Sequence, residues 1–235
     1  IAVGFTPDAV TEATADIAFL LIQAVARKAT WLHREIVRGN WKRFEPVKNL
    51  GIELRGKTLG IFGMGRIGTA LAKQCIGAFG MNIIYHNRNR NENSEKLTGA
   101  VYVSFEDLLS RSDVLSVHCN LTQDTRLRFG ATEFSAMRSN AIFINTSRGG
   151  THDEGALLQA LNEKKIWGAG LDVTNPEPMT QNNPLLDMEN VVILPHIGSG
   201  TIETRNEMAR TAAQNLISYF QSRNVPYCVN PEVLS

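Results

Sequence analysis

Residues 58–68 read TLGIFGMGRIG, and residues 69–72 continue as TALA. A short strand-type run, Thr58 to Phe62, enters G-x-G-x-x-G at Gly63, Gly65 and Gly68, and a helix-type run follows. Each glycine has a physical role there. Gly63 permits the tight turn, Gly65 lets backbone approach a pyrophosphate, and Gly68 lets helix and strand pack closely. The helix N-terminus then offers free N–H groups and a positive dipole end to an anion. Glycine-rich turns are common, but the strand before and the helix after give this one the setting of a dinucleotide loop.

A second strand-type run, residues 82–86, ends in HNRNR at 86–90. An NAD site places a carboxylate about twenty residues past the glycine loop, where it accepts hydrogen bonds from the ribose 2′-hydroxyl. No acid stands at that strand end. Asn87 is uncharged, and Arg88 and Arg90 can offer planar forks to a 2′-phosphate. The expectation is NADP in preference to NAD, with Arg88 the stronger of the two arginine candidates. A solvated basic loop is the plainer alternative.

Outward from the loop, the pattern alternates. Strands are predicted at 58–62, 82–86, 101–103, 114–118, 141–145, 168–172 and 191–194, and helices at 66–79, 105–110, 132–138, 153–163 and 201–222. Short apolar strands alternating with helices predict an α/β fold, a Rossmann-type doubly wound parallel sheet covered on both faces. Before it, residues 1–5 read as a strand and 11–28 as a helix. Residues 30–50 read as an irregular arm with Trp31 and Trp41 among Arg and Lys. That arm suits a surface loop or a dimer interface equally well.

Composition excludes several classes. The 235 residues carry a net charge of +1, which gives no broad pull toward nucleic acid or a membrane. No apolar run approaches the ~20 residues of a membrane span. The three cysteines, Cys75, Cys119 and Cys228, are far apart, so no zinc spacing or disulfide framework is read. A reducing compartment, the cytoplasm, is expected. N-x-S/T matches at Asn120 and Asn145 fall in segments read as buried, so no glycosylation is expected.

Three further stretches carry charge at predicted strand ends. NTSRGG places Arg148, GLDVTNPEP places Glu177 in a proline-flanked loop, and ILPHIGS places His196. Ligands of open α/β sheets bind at the carboxyl ends of strands. An arginine there can grip a carboxylate and polarise a neighbouring carbonyl. A histidine can hand over a proton, and a carboxylate can orient it and balance its charge. Taken singly, each is more often a salt-bridge partner or an exposed loop residue. Together they describe hydride transfer to a 2-keto acid, with the nicotinamide as hydride carrier.

The set GMGRIG, NTSRGG, GAGLDVTNPEP and LPHIGS closely resembles the D-isomer-specific 2-hydroxyacid dehydrogenases, and within them the glyoxylate/hydroxypyruvate reductases. The resemblance covers nearly the whole chain. It implies that Arg148 binds and polarises substrate, that Glu177 pairs with His196, and that His196 is the acid/base. It also implies cofactor contacts by Gly65, Arg66, Ile67, Asn87, Arg88, Arg90, Asn120, Thr146, Asp172 and Gly198, with Asp172 facing the nicotinamide amide. A homodimer built on the helix at 11–28 and the Trp-rich arm is implied as well.

Two departures qualify the resemblance. Asn120 stands where many relatives carry Pro. The family also begins with a substrate-binding domain of about a hundred residues, typical of one domain, which this sequence lacks. Ile1 opens abruptly on a strand-like run, so the chain reads as a piece of a longer protein. Residues 1–200 are read as the dinucleotide domain with helix and dimer arm at 8–50. Residues 201–235 are read as a helix and tail that would pack on the second domain. The piece alone is expected to bind dinucleotide with little turnover. Competing readings are a 2-ketogluconate reductase, a phosphoglycerate dehydrogenase, or a non-catalytic corepressor-like protein that senses dinucleotides.

Overall fold

A computed structural model of the chain describes residues 1–234. Seven parallel strands form one sheet in the order β3-β2-β1-β4-β5-β6-β7. They are β1 Thr58–Phe62, β2 Asn82–His86, β3 Val101–Tyr102, β4 Val114–Val117, β5 Ile142–Asn145, β6 Gly168–Leu171 and β7 Val191–Ile193. The helices are α1 Thr11–Ala26, α2 Ala29–Val37, α3 Arg66–Phe79, α4 Glu92–Thr98, α5 Phe105–Arg111, α6 Ala131–Ala136, α7 Glu154–Asn162 and α8 Ile202–Ser222. All seven expected strands are present, within a residue at each end.

The strands are nearly all buried because both faces are covered. Side chains alternate across the sheet. Leu59, Ile61, Ile142 and Ile144 face a core completed by Leu21, Ile22 and Val25 of α1 and Leu71 of α3. Phe62, Leu115, Val117 and Phe143 face a second core with Phe105 and Leu108 of α5, Phe134 of α6 and Leu157 of α7. Gly170 shows how tightly α1 lies on β6: a Cβ there would stand 2.8 Å from Ile144 and 2.9 Å from Leu21.

The strand order reverses direction between β1 and β4, which pair with each other. A crevice opens at such a switch point, beyond the strands' carboxyl ends. Gly63 shapes it. Its φ is +100°, and a Cβ would lie 2.6 Å from the Cys119 nitrogen and 2.7 Å from the His118 carbonyl carbon. Only glycine accommodates both constraints.

Three expectations about local structure change. Residues 1–5 do not join the sheet. Gly4 instead makes an isolated antiparallel bridge with Cys228, and the Phe5 N–H donates to the Tyr227 carbonyl at 3.0 Å. The arm is not wholly irregular, since α2 forms within it; Trp31 lies under Arg34 and Arg38 at 5.3 and 5.5 Å. An extra helix, α4, follows β2. Its N-cap Asn91 accepts from the Ser94 N–H, which replaces the apolar face that its sequence ENSEKLT lacks.

Candidate functional site

The glycine loop is fixed from behind. The Met64 N–H donates to Asn87 Oδ1 at 2.6 Å, and the Met64 carbonyl accepts from Asn87 Nδ2 at 3.3 Å and Asn91 Nδ2 at 2.8 Å. Asn87 therefore spends its amide on the loop backbone. The front is left open. Gly65 caps α3 with no side-chain hydrogen bond, and a Cβ on it would meet nothing within 4 Å. Uncapped N–H groups and clear space above them are what a phosphate requires. Gly68, one turn on, sits where a Cβ would press Ile61 of β1 at 2.9 Å.

A cleft of about 550 Å³ runs along this loop, lined by Gly63, Gly65, Arg66, Ile67, Asn87 and Asn120. A second, of about 530 Å³, continues from it and is lined by Ile67, Asn120, Thr146, Arg148, Asp172, His196 and Gly198. His118 and Cys119 border both. The two clefts share Ile67, His118, Cys119 and Asn120, and the uncapped N–H groups at the glycine loop fit the pyrophosphate of a dinucleotide. Arg66 reaches out of α3 to pair with Asp8 at 2.6 Å. Arg88 and Arg90 border neither cleft; both are exposed on the loop after β2.

Arg148 follows β5 on a turn organised by Asn145. The Asn145 amide donates to the Arg148 carbonyl at 3.1 Å, to Thr151 Oγ1 at 3.0 Å and to His152 Nδ1 at 3.0 Å. Its oxygen accepts from the Ser147 N–H and hydroxyl. The Arg148 guanidinium folds onto the Ser147 carbonyl at 2.6 Å and is otherwise exposed to the cleft.

His196 follows β7 at φ +54°, a left-handed conformation unusual for a side chain of this size. Its Nδ1 is hydrogen-bonded to Glu177. Asp172, at the end of β6, is 1% exposed and holds the turn beyond the histidine. Its two carboxylate oxygens accept from the Ile197 and Gly198 N–H groups, each at 2.8 Å. Burial raises the Asp172 carboxyl above its ordinary range, and those two N–H bonds oppose the rise.

Sequence reasoning missed two histidines. His118 was read only as a strand end. Its ring bonds Ser116 Oγ at 2.8 Å and Thr146 Oγ1 at 3.3 Å, and burial pushes its pKa down to about 4. It is a neutral prop beneath the cleft. His152 lies behind Arg148's turn, 1% exposed. An isolated histidine carries no periodic signal, so neither was separable from its neighbours in the chain.

An arginine, a histidine paired to an acid, and a dinucleotide loop, all at one sheet edge, define a nicotinamide-dependent dehydrogenase. The D-isomer specific 2-hydroxyacid dehydrogenase NAD-binding domain family matches residues 19–198. The chain belongs to that family and is an NAD(P)-dependent oxidoreductase. It is 48% identical to a glyoxylate reductase of Aeropyrum pernix over 97% of this chain and 69% of the relative. Among solved structures it resembles a glyoxylate reductase from Paecilomyes thermophila. That match has a TM-score of 0.89 and 41% identity, over 99% of this chain and 69% of the other. It also resembles an NADPH-dependent glyoxylate/hydroxypyruvate reductase from Sinorhizobium meliloti, solved with NADP and malonate. There the TM-score is 0.88 and the identity 36%, over 97% of this chain and 70% of the other. No separate substrate-binding domain lies within the described residues, and no helix among them is long and apolar enough to cross a membrane.

Proposed function

We propose that this chain carries the cofactor site and the reacting side chains of an NADPH-dependent reductase of small 2-keto acids, glyoxylate or hydroxypyruvate. The product is the D-2-hydroxy acid where the reduced carbon becomes a stereocentre, as with hydroxypyruvate; glyoxylate gives achiral glycolate. The observation that carries this reading is that Arg148 and His196 line one cleft continuous with the glycine loop, with His196 tied to Glu177.

On this reading each residue has a role. Gly65 and the first N–H groups of α3 hold the pyrophosphate, and Arg88 reads the 2′-phosphate. When bound, the nicotinamide supplies the hydride. Arg148 turns from the Ser147 carbonyl to clamp the substrate carboxylate with two parallel hydrogen bonds and to polarise the keto oxygen. The Nδ1–H of His196 donates to Glu177, which leaves Nε2 to deliver the proton. The keto oxygen, which takes up the carbonyl π pair as the substrate is reduced, would receive that proton. Glu177 balances the charge of the imidazolium and fixes its orientation.

Trp41, Phe44 and Val47, 67, 82 and 83% exposed, suit burial in a homodimer contact. The three free cysteines suit a reducing compartment, and we assign the protein to the cytoplasm. The test is absorbance-monitored NADPH oxidation by the complete gene product with glyoxylate or hydroxypyruvate. Turnover with either is expected. Tight NADPH binding without turnover would make the protein a dinucleotide-sensing binding module instead.

A further inference from the structure

We propose that Glu95 sets how strongly the site discriminates NADPH from NADH, by holding Arg90 in a carboxylate fork so that Arg88 alone meets the 2′-phosphate. The inference rests on the NADP reading above and names a determinant outside the expected cofactor residues.

The loop after β2 is tethered at both ends. Asn87 and Asn91 both bond the Met64 backbone, the Tyr102 hydroxyl donates to the Asn87 carbonyl at 3.1 Å, and the Asn91 N–H donates to the Tyr85 hydroxyl at 2.8 Å. Only Arg88, Asn89 and Arg90 remain between the tethers. Arg90 is committed. Its Nε donates to Glu95 Oε1 at 3.1 Å and its Nη2 to Oε2 at 2.9 Å. Its guanidinium also lies over the Tyr102 ring at 5.9 Å. Arg88 has no hydrogen bond or ion pair among the described residues.

Arg90 is 62% exposed, but its acceptor is held in place. The Glu95 side chain is 18% exposed and also accepts from the hydroxyl of fully buried Tyr85 at 2.6 Å. Its helix is anchored to the glycine loop: Ser94 Oγ meets Thr69 Oγ1 at 2.7 Å, and Thr69 Oγ1 donates to the Gly65 carbonyl at 2.7 Å. The bonds from Arg90 and then Tyr85 hold the Glu95 carboxyl below its ordinary range, so it stays ionised. Arg90 and Glu95 therefore cancel in charge, and the loop offers a 2′-phosphate one net positive charge rather than two. Such a site favours NADPH while leaving NADH usable, and a neutral residue at 95 frees a second planar fork for the phosphate.

The experiment is to measure Kd for NADPH and NADH by cofactor fluorescence on five proteins. These are the wild type, Glu95→Gln, Arg90→Ala, Arg88→Ala and the Glu95→Gln/Arg90→Ala double variant. Glu95→Gln keeps an acceptor for Tyr85. It is expected to tighten NADPH about tenfold with NADH unchanged, the scale of one added charge-assisted contact. Arg90→Ala alone leaves the NADPH/NADH ratio nearly unmoved, and in the double variant it erases the gain. An unmoved ratio in folded Glu95→Gln overturns the inference. So does an Arg90→Ala loss of NADPH affinity as large as that of Arg88→Ala, a comparison that stands even if Glu95→Gln does not fold. Equal losses of NADPH and NADH in Arg88→Ala have a different meaning: they sink the NADP reading itself.

Discussion

Glu177 reaches from the loop after β6 to hold His196 Nδ1, 19 residues further along the chain. Both side chains are partly exposed, His196 on the cleft, and Asp172 grips the two N–H groups that follow the histidine, whose φ is +54°. Orientation is thus imposed from two sides, one on the ring and one on the turn.

The first prediction concerns that pair. His196→Ala should lower kcat by about two to four orders of magnitude, the range for loss of a general acid. Glu177→Gln keeps a hydrogen-bonding group but no charge, so kcat should fall by a smaller factor, about tenfold, with KM nearly constant. Steady-state kinetics of both variants check this. Wild-type kcat in Glu177→Gln would show that the carboxylate's charge is idle.

Arg148 gives the second. Its guanidinium rests on the Ser147 carbonyl at 2.6 Å and is the cation lining the inner cleft. Arg148→Lys retains charge but loses the planar fork, so KM for the 2-keto acid should rise about tenfold to a hundredfold. Cofactor Kd should stay the same. A parallel weakening of NADPH would place the arginine on the cofactor rather than on the substrate.

The sheet was legible because its strands are short, apolar and buried on both faces, a pattern with little competition in this chain. The three candidate site residues, Arg148, Glu177 and His196, were placed by a related reading: each follows such a strand. What escaped lacked a periodic signal. The α4 sequence ENSEKLT has Leu97 as its one large apolar residue, and that residue is 61% exposed. Its helix is held by Asn91, Ser94 and Glu95 through partners distant in sequence, such as Met64 and Thr69. The same contacts explain why Arg88 and Arg90, alike in sequence, differ in the fold. Asn145 was read as part of a buried strand; that its amide organises Arg148's turn depends on contacts the linear pattern does not encode.

The third prediction tests the arm. Trp41 and Phe44 expose large apolar surface and lie with Trp31, Leu32 and Ile36 along one groove. Trp41→Ser combined with Phe44→Ser should convert a dimer to a monomer while leaving the cleft intact. Sedimentation equilibrium reads the mass, and NADPH binding reads the cleft. A wild-type protein that sediments as a monomer at every concentration would remove the arm from any interface.

The fourth comes from His152, whose side chain has no use in the proposed chemistry. Its ring lies 5.7 Å from the Phe143 ring, and burial pushes its pKa down to about 4, against about 6.5 for a free histidine. Nδ1 accepts from Asn145, so the neutral ring carries its proton on Nε2, which has no hydrogen-bond partner. The folded state therefore refuses a proton that the unfolded chain accepts. Stability from this ring is fully present above about pH 6.5 and falls as the pH drops toward about 4, by about 2 kcal/mol at pH 5. Denaturant unfolding at pH 7 and pH 5 should show a loss in the wild type larger by about that amount than the loss in His152→Leu. Because protonation at Nδ1 would also evict the Asn145 amide, it loosens the turn that carries Arg148. Identical pH dependence in the two proteins would mean that this histidine is protonated as easily in the fold as outside it.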